Sequence, residues 1–208
     1  MDGEGFGFHE NCALMASQAA DTPLLIEVTH GHRRRSEVEA FIAERYRRAY
    51  GAQVTEFMPT LFAMVSPLGD VISAAGLRRA GEGPLFVEHY LDAPAEVVLE
   101  QHFGPPVRRD RIAEIGHLSG MGHGTGRRLF PLLACWLRDH DIDWALFAAT
   151  GALRQMFERM EVRPRPLAPA RKERLGLAAD AWGSYYETDP WVVGGPLRLG
   201  RRLLERAS

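Results

Sequence analysis

The chain has 208 residues, of which 46% are hydrophobic and 25% charged, shares that are ordinary for a globular protein. The formal net charge of −2 gives no electrostatic basis for binding nucleic acid. The apolar runs at 129–137 and 144–149 are too short to span a membrane, so we expect no stable membrane insertion. Cys12 and Cys135 are too few for a disulfide framework, and residues 1–10 do not resemble a signal peptide. We therefore expect a cytoplasmic protein.

The N-terminal region predicts one strand and one helix. Residues 1–23 carry little pattern and are expected to be poorly ordered, whereas residues 24–208 are expected to form a single domain. Leu24–Thr29 predicts a strand. Ser36–Glu39 matches the S-x-x-E capping box, which predicts the start of a helix that Gly51 can end.

The next segment predicts a hairpin and a second helix. Phe57–Val65 and Val71–Leu77 have the composition of two paired strands. Leu85–Tyr90 is apolar and aromatic enough to be either a strand or a buried turn. Asp92 is predicted to cap a helix that ends at Phe103.

A short apolar strand, predicted over Arg111–Leu118, leads directly into a glycine-rich loop. Glycines occupy every second position of that loop from Gly120 to Gly126, and Arg127 and Arg128 follow at the head of a helix. Glycines allow close approach of backbone to a ligand, and the free N–H groups of a helix start attract anions. Because Pro131 fits a helix best in its first turn, we expect this helix to start near Arg127.

The C-terminal third predicts a strand at Trp144–Thr150 and a short helical stripe from Leu153 to Met160. Residues 163–169 are rich in proline, and the aromatic segments 182–186 and 191–193 are expected to close over the core or a pocket. Strand, anion-binding turn, helix and strand together form a βαβ-type unit, which indicates an α/β fold.

Glu114 is the first candidate for chemistry, because it is a lone carboxylate in an apolar strand. It is either a general base with a raised pKa or a member of a structural ion pair, with Arg78 or Arg108 as partner. Glu114 and Gly116 share one strand face and His117 has the other, so Glu114 and His117 can reach the same atom only if the strand has a bulge.

The order of these elements and several segments resemble the thermostable hemolysin family, a GNAT-like group related to acyl-homoserine lactone (autoinducer) synthases. The segments that carry the resemblance are 38–42, 46–50, 57–61, 74–78, 85–92, 113–118 and 182–186. The resemblance implies a single GNAT-like domain, with a mixed central sheet and helices on both faces. Gly124-x-Gly126 resembles the glycines of the GNAT carrier motif, in which Met121 stands at the position of Gln or Arg. His117 stands where the autoinducer synthases have arginine.

The resemblance also implies an acyltransferase, which moves an acyl group from a phosphopantetheine-type thioester to the amine of a small molecule. The donor would be an acyl-CoA or an acyl carrier protein, and no metal-ligand spacing is present. Catalysis would fall to Glu114, with Tyr185 either protonating the thiolate or packing as an aromatic. The carrier would bind the residues of the glycine turn, namely Leu118, Ser119, Gly122, Gly124, Gly126, Arg127 and Arg128. The acceptor would meet Arg78, Glu88, His117, Trp182 and Tyr186.

Two functional alternatives to the acyltransferase stay open on the sequence alone. The first is a synthase in small-molecule biosynthesis that uses S-adenosylmethionine or an amino acid. The second is a membrane-active, hemolysin-type or other binding protein without catalysis. The glycine turn is likewise either a ligand loop or a plain turn with solvated arginines. The oligomeric state is not predicted.

Overall fold

A seven-stranded mixed sheet forms the centre of the computed structural model, which describes residues 22–121 and 125–197. The strands are β1 (Leu24–Val28), β2 (Thr60–Val65), β3 (Val71–Arg79), β4 (Ile112–Gly120), β5 (Trp144–Ala149), β6 (Arg165–Pro169) and β7 (Trp191–Pro196). The helices are α1 (Arg35–Tyr50), α2 (Ala95–Phe103), α3 (Thr125–Asp139) and α4 (Gly151–Arg159), and Phe86–Tyr90 and Gly176–Thr188 form 3₁₀ turns. The strand order is β1-β2-β3-β4-β5-β7-β6.

The parallel pair β4–β5 is short and divides the sheet into two halves. It comprises three residue pairs, from Ile112 opposite Trp144 to Glu114 opposite Leu146, while the other neighbouring strands described are antiparallel. Beyond Glu114 on β4 and Leu146 on β5, the two strands no longer pair with each other, so a V-shaped gap opens between them. Parallel strands are bonded through regularly spaced peptide groups, and their separation leaves these groups available to a ligand.

Helices cover both faces of the sheet because its strands alternate their side chains. On β2, Leu61 and Ala63 are buried in a cluster with Val38 of α1, whereas Phe62 is buried in a cluster with Leu133 of α3. This alternation is the period-two pattern of a strand that is covered on both sides. The predicted α/β domain, with a mixed sheet and helices on both faces, is confirmed.

The predicted capping box at the start of α1 is wrong. The helix begins at Arg35, and no side chain of the cap residue bonds its first turn. Glu39 accepts a hydrogen bond from the Arg35 guanidinium instead of from the backbone, at 2.6 Å. Arg35 is buried and also donates to the carbonyls of Val28, Met58 and Pro59. A buried guanidinium that needs several acceptors therefore decides where this helix starts.

Two other helix starts differ from the prediction. α2 begins after Pro94, and the carboxylate of Asp92 pairs with Arg174 rather than capping the helix. α3 begins at Thr125, which places Pro131 in the second turn. The missing proline N–H removes one helical hydrogen bond there, a loss that burial of the helix against the sheet offsets.

Candidate active site

A bulge in β4 brings Glu114 and His117 to the same cleft. Ala74 pairs with Ser119 and Gly76 with Gly116, so three steps along β4 oppose two along β3. The extra residue turns the chain, and His117 has a φ of 51°, in the left-handed region that is unusual for residues other than glycine. The bulge that the sequence analysis required for a joint role of Glu114 and His117 is present.

The cleft has two lobes that meet at this bulge. The wide lobe, about 1180 Å³, lies between β3, β4 and residues 182–186, which we call the aromatic segment. Arg78 and Glu114 line this lobe. The splay lobe, about 880 Å³, lies in the gap between β4 and β5. The residues common to both lobes are Tyr46, Gly116, His117, Ala148 and Tyr185.

An apolar cavity of about 70 Å³, or about 630 Å³ when its opening to solvent is counted, adjoins the splay lobe on the side of α3 and α4. Ile115 and Phe130 line both spaces, so the cavity and the splay lobe adjoin at these two side chains. Leu133, Ala134 and Leu137 of α3 form one of its walls.

The Glu114 carboxylate is buried and held by backbone. Glu114 is 2% exposed. Its carboxylate accepts hydrogen bonds from the backbone N–H groups of Phe86, at 2.6 Å, and Val87, at 3.2 Å. Burial raises the pKa of this carboxyl to about 7, although the two N–H groups and the charge of Arg78 act in the opposite direction. Glu114 is therefore partly ionised at neutral pH.

The structure does not show the direct ion pair that was the alternative for Glu114. Arg108 pairs with Asp110 at 2.6 Å, and Arg78 donates to the carbonyl of Pro84. Arg78 nevertheless lies opposite Glu114 in the β3–β4 register, and both line the wide lobe. Arg78 therefore places a positive charge in the cleft, and it forms no ion pair with a carboxylate within the part of the chain that the structure describes.

His117 is a neutral residue at the junction of the lobes. Burial lowers the pKa of its imidazole to about 4, and the nearby charges of Arg78 and Arg35 lower it further. Its ring packs at 5.7 Å from the ring of Phe57 and at 6.3 Å from that of Tyr46, between centroids. Its Nδ1 is buried without a hydrogen-bond partner among the described residues.

The aromatic segment closes the cleft through a kink at Gly183. Trp182 lines the wide lobe, and the Tyr185 hydroxyl donates to the carbonyl of Ala148 at 3.1 Å. That carbonyl lies on β5 beyond the paired part of the strands, so Tyr185 satisfies a group that the gap would leave free. The Tyr186 hydroxyl is hydrogen-bonded to the hydroxyl of Tyr90 at 2.7 Å, and Tyr186, which was expected to meet the acceptor, lines neither lobe.

Glu88, which was expected to meet the acceptor, lines neither lobe. Its carboxylate pairs with Arg109 at 2.6 Å and accepts hydrogen bonds from the N–H groups of Leu85 and Ala95. Although burial acts to raise its pKa, these donors hold that pKa at about 2. Glu88 is therefore a fixed anion that stabilises the turn carrying the Phe86 and Val87 N–H groups.

The predicted carrier residues are only partly described. Leu118 and Ser119 line the splay lobe, and Arg128 is exposed in the first turn of α3. Gly126 and Arg127 also fall in this turn. Gly122 and Gly124 lie outside the described residues, so their role stays a prediction.

The sequence analysis did not single out several residues of the cleft, among them Phe57, Met58 and Phe86. Phe57 and Phe86 line the wide lobe, and Met58 lies beneath the bulge, where a Cβ on Gly116 would come within 2.7 Å of its Cε. The contact of Met58 with Gly116 depends on the register between β3 and β4, and no local sequence pattern predicts that register. No group of three His, Cys, Asp or Glu side chains that could hold a metal occurs in residues 22–121 and 125–197. Over the same residues, no helix is long and apolar enough to cross a membrane.

The model of the thermostable hemolysin family matches residues 28–201. The chain belongs to this family. No match was found among curated proteins. In fold, this family member is similar to the acyl-homoserine lactone synthase LasI, with a TM-score of 0.58 and 10% identity over 85% of this chain and 91% of that one.

Two further solved structures are similar to this family member. FeeM, an N-acyl amino acid synthase from uncultured soil microbes, has a TM-score of 0.53 and 13% identity over 85% of this chain and 93% of that one. BjaI, a CoA-dependent acyl-homoserine lactone synthase with SAM and isopentyl-CoA, has a TM-score of 0.55 and 13% identity over 88% of this chain and 87% of that one. At these identities the likeness establishes the GNAT-like fold.

Proposed function

We propose that this protein is an N-acyltransferase, which moves an acyl group from a phosphopantetheine-type thioester to the amine of a small molecule. One observation carries the proposal. Two lobes of suitable size meet at the β4 bulge, and a buried carboxylate with a pKa near 7 lines the wide one. Such a carboxylate can accept a proton from an attacking amine at neutral pH.

The splay lobe suits the thioester arm of the donor. Beyond Glu114 the β5-facing peptide groups of β4 have lost their partner strand, and Leu118 and Ser119 line the opening. Backbone N–H groups at such a gap can polarise a carbonyl. We expect the phosphates of the carrier, either CoA or an acyl carrier protein, to bind the turn from Gly122 to Arg128.

The apolar cavity favours a donor with an acyl chain longer than acetyl. It adjoins the splay lobe at Ile115 and Phe130, and side chains of α3 and α4 line it, so we expect an acyl chain that passes these two residues to enter it. Burying each methylene of a chain there contributes about 0.8 kcal/mol of binding. An acetyl group would leave this space unused.

The wide lobe suits an acceptor that carries an amine and a carboxylate. Arg78 offers a guanidinium, whose two parallel donors match a carboxylate, and Phe57 and Trp182 offer apolar walls. An amine held between Arg78 and the bulge would lie beside Glu114. These contacts support an amino-acid-like acceptor.

A synthase that uses S-adenosylmethionine is the second candidate. The structure of BjaI contains SAM together with isopentyl-CoA, and the aromatic walls of the wide lobe suit a purine ring. The two candidates differ in which small molecule occupies the wide lobe.

Thermal shift with a panel of donors tests the proposal. At a hundredfold excess over Kd a bound ligand stabilises by about 2.7 kcal/mol, or roughly 5–10 °C for a chain of this size. We expect octanoyl-CoA or decanoyl-CoA to give this shift, and S-adenosylmethionine to give little. Ala134→Phe should reduce the decanoyl-CoA shift and leave that of acetyl-CoA unchanged, because the new ring fills the apolar cavity. A shift with S-adenosylmethionine alone would favour the second candidate.

Turnover is then measured as release of free thiol from decanoyl-CoA with a panel of amino acids and other amines. We expect Glu114→Gln to reduce the rate on the order of 10²–10⁴-fold, the usual contribution of a general base. Full activity of this variant would remove Glu114 from the mechanism. No thermal shift and no thiol release with any donor would contradict the acyltransferase proposal.

A further inference from the structure

The unpartnered nitrogen of His117 points to a role that the fold does not require. Its Nδ1 is packed against the β3 backbone, since a Cβ on Gly76 would come within 2.8 Å of it. The same hypothetical Cβ would lie 3.0 Å from Met58 Cβ and Sδ, so Met58 packs beside that nitrogen. The side chain nevertheless lines both lobes, so Nε2 is the ring nitrogen that a ligand at the junction can reach.

These surroundings decide which nitrogen carries the proton. A neutral imidazole has one N–H and one bare nitrogen. A buried N–H without an acceptor is rarer in proteins than an acceptor without a donor. His117 therefore keeps its bare nitrogen at Nδ1, next to Met58, and its proton at Nε2.

The charges around the ring keep it neutral. Arg78 on β3 and Arg35 on α1 both act against a second proton, and burial acts in the same direction. The other titratable groups that line the two lobes, among the described residues, are Glu114 on β4, Tyr46 and Tyr50 on α1, Glu56, Tyr90 and Tyr185. The result is a hydrogen-bond donor that carries no net charge at the point where the two lobes meet.

We propose that His117 is a catalytic residue, which donates its Nε2–H to the carbonyl oxygen of the acyl group during transfer. The inference rests on the proposed acyltransferase function and assigns a role within its site. The carbonyl oxygen is the expected partner because it gains negative charge, whereas the attacking amine must keep its lone pair free for the carbonyl carbon.

The step balances without any further reagent. The amine nitrogen forms a bond to the thioester carbon, and the carbonyl electrons move to the oxygen that His117 faces. The amine loses a proton to the Glu114 carboxylate. The C–S bond then breaks as the carbonyl reforms, and the thiolate takes up a proton to give free thiol and an amide.

The tautomer is tested first, by long-range ¹H–¹⁵N spectroscopy of the free protein. Three other histidines provide internal controls, since the Nδ1 atoms of His89, His102 and His140 lie at 2.9, 2.9 and 2.7 Å from backbone carbonyl oxygens. They should carry their proton on Nδ1 when neutral. His117, assigned by loss of its signals in His117→Gln, should carry it on Nε2 and stay neutral from pH 8 to pH 5. An Nδ1–H form, or titration near the ordinary histidine pKa, would overturn the inference.

Kinetics test the catalytic role with matched variants. The amide nitrogen of glutamine can take the place of Nε2, whereas that of asparagine can take only the place of Nδ1. We expect His117→Gln to keep turnover within about tenfold, and His117→Asn and His117→Phe to lower kcat on the order of 10²–10³-fold, as for loss of one donor to an oxyanion. The thermal shift with decanoyl-CoA should persist in all three variants.

The outcomes separate this inference from the proposed function. Equal rates for the Gln and Asn variants, or wild-type kcat in His117→Phe, would overturn the donor role of His117. A wild-type protein that binds and cleaves no thioester would contradict the acyltransferase itself. Above pH 5 the acid limb of the rate profile should be the same in wild type and His117→Gln, because we expect that limb to report the protonation of Glu114. Loss of that limb in His117→Gln would make His117 a base and overturn the proposal.

Discussion

At the residue scale, Glu114 shows how a carboxyl obtains a pKa near neutrality. Removal from water acts against its charged form, and the N–H groups of Phe86 and Val87 act in favour of it. Burial outweighs the opposing hydrogen bonds, so the pKa of this carboxyl rises to about 7. A carboxyl with this pKa can take a proton and release it again near pH 7, as a base in a catalytic cycle must.

The same shift predicts a pH dependence of stability. Glu114 binds its proton more tightly in the folded state than in the unfolded one, so its contribution is complete below the ordinary Glu pKa of 4.5 and is lost as pH rises to about 7. Glu114→Gln does not titrate. From pH 5 to pH 8 the unfolding free energy of this variant should therefore rise relative to wild type, by up to about 3 kcal/mol. Urea titrations at three pH values measure this difference, and parallel curves would show an unshifted Glu114.

His117 predicts a change in the opposite pH range. Its folded pKa of about 4 lies below the ordinary value of 6.5, so its contribution to stability is complete above pH 6.5 and is lost as pH falls to about 4. His117→Gln should lose less stability than wild type between those values. The same urea titrations, extended to pH 4, measure the difference. A wild type that loses no more stability than the variant would contradict the burial of a neutral ring.

The sequence singles out Glu114 because a carboxylate in an apolar strand stands alone. It does not reveal which charges are already paired, since that depends on contacts between distant segments. Glu88 pairs with Arg109, 21 positions away in the sequence, and this contact could not be predicted from either segment alone. His117 stands out only as the residue that replaces an expected arginine, and its neutrality follows from burial that the sequence does not display.

At the element scale, the aromatic segment depends on one glycine. Gly183 has a φ of 53°, and a Cβ there would lie 2.1 Å from the carbonyl oxygen of Tyr50. Gly176 begins the same run of turns with a φ of 57°, yet a Cβ there would meet nothing within 4 Å. The two glycines thus share backbone strain and differ in close packing, which makes them a matched pair.

We expect Gly183→Ala to destabilise the protein by about 3 kcal/mol or more, because α1 or the aromatic segment must move. Gly176→Ala should cost only about 1 kcal/mol, the strain of a positive φ. Thermal unfolding and near-UV circular dichroism of the Trp182 region measure the two effects. Equal losses in both variants would show that Gly183 does not fix the segment against Tyr50.

Helices and strands with a strong period are predicted from the sequence, and the last two strands are not. Residues 163–169 contain three prolines, which argues against a strand. They nevertheless form β6, because β6 is at the edge of the sheet and its outer N–H groups need no partner. β7 carries Gly194 and Gly195 in its middle, and a Cβ on Gly194 would come within 2.5 Å of Leu146. β7 therefore forms where glycine allows close packing against β5, and it lacks the run of β-branched residues from which a strand is usually predicted.

At the scale of the whole molecule, the turn from 80 to 90 connects the site to the rest of the fold. Arg109 lies just before β4 and holds this turn through the carbonyls of Ala80 and Gly83 and the carboxylate of Glu88. A fourth acceptor group, the carboxylate of Glu96 at the start of α2, lies 2.7 Å from the Arg109 guanidinium. One guanidinium thus ties α2, the turn and β4 together, and the turn in turn supplies the N–H groups that hold Glu114.

Replacing Arg109 should therefore affect stability and chemistry together. Arg109→Gln leaves two carboxylates and two carbonyls short of donors, and we expect a loss of about 2–4 kcal/mol in unfolding free energy. The neighbouring Arg108 is the control, because its pair with Asp110 is exposed and Arg108→Gln should cost less than about 1 kcal/mol. In Arg109→Gln the Phe86 and Val87 N–H groups lose their fixed position. The pKa of Glu114 should then rise, and the acid limb of the rate profile should move to higher pH. Equal stability of the two variants, with an unmoved acid limb, would show that Arg109 does not support the site.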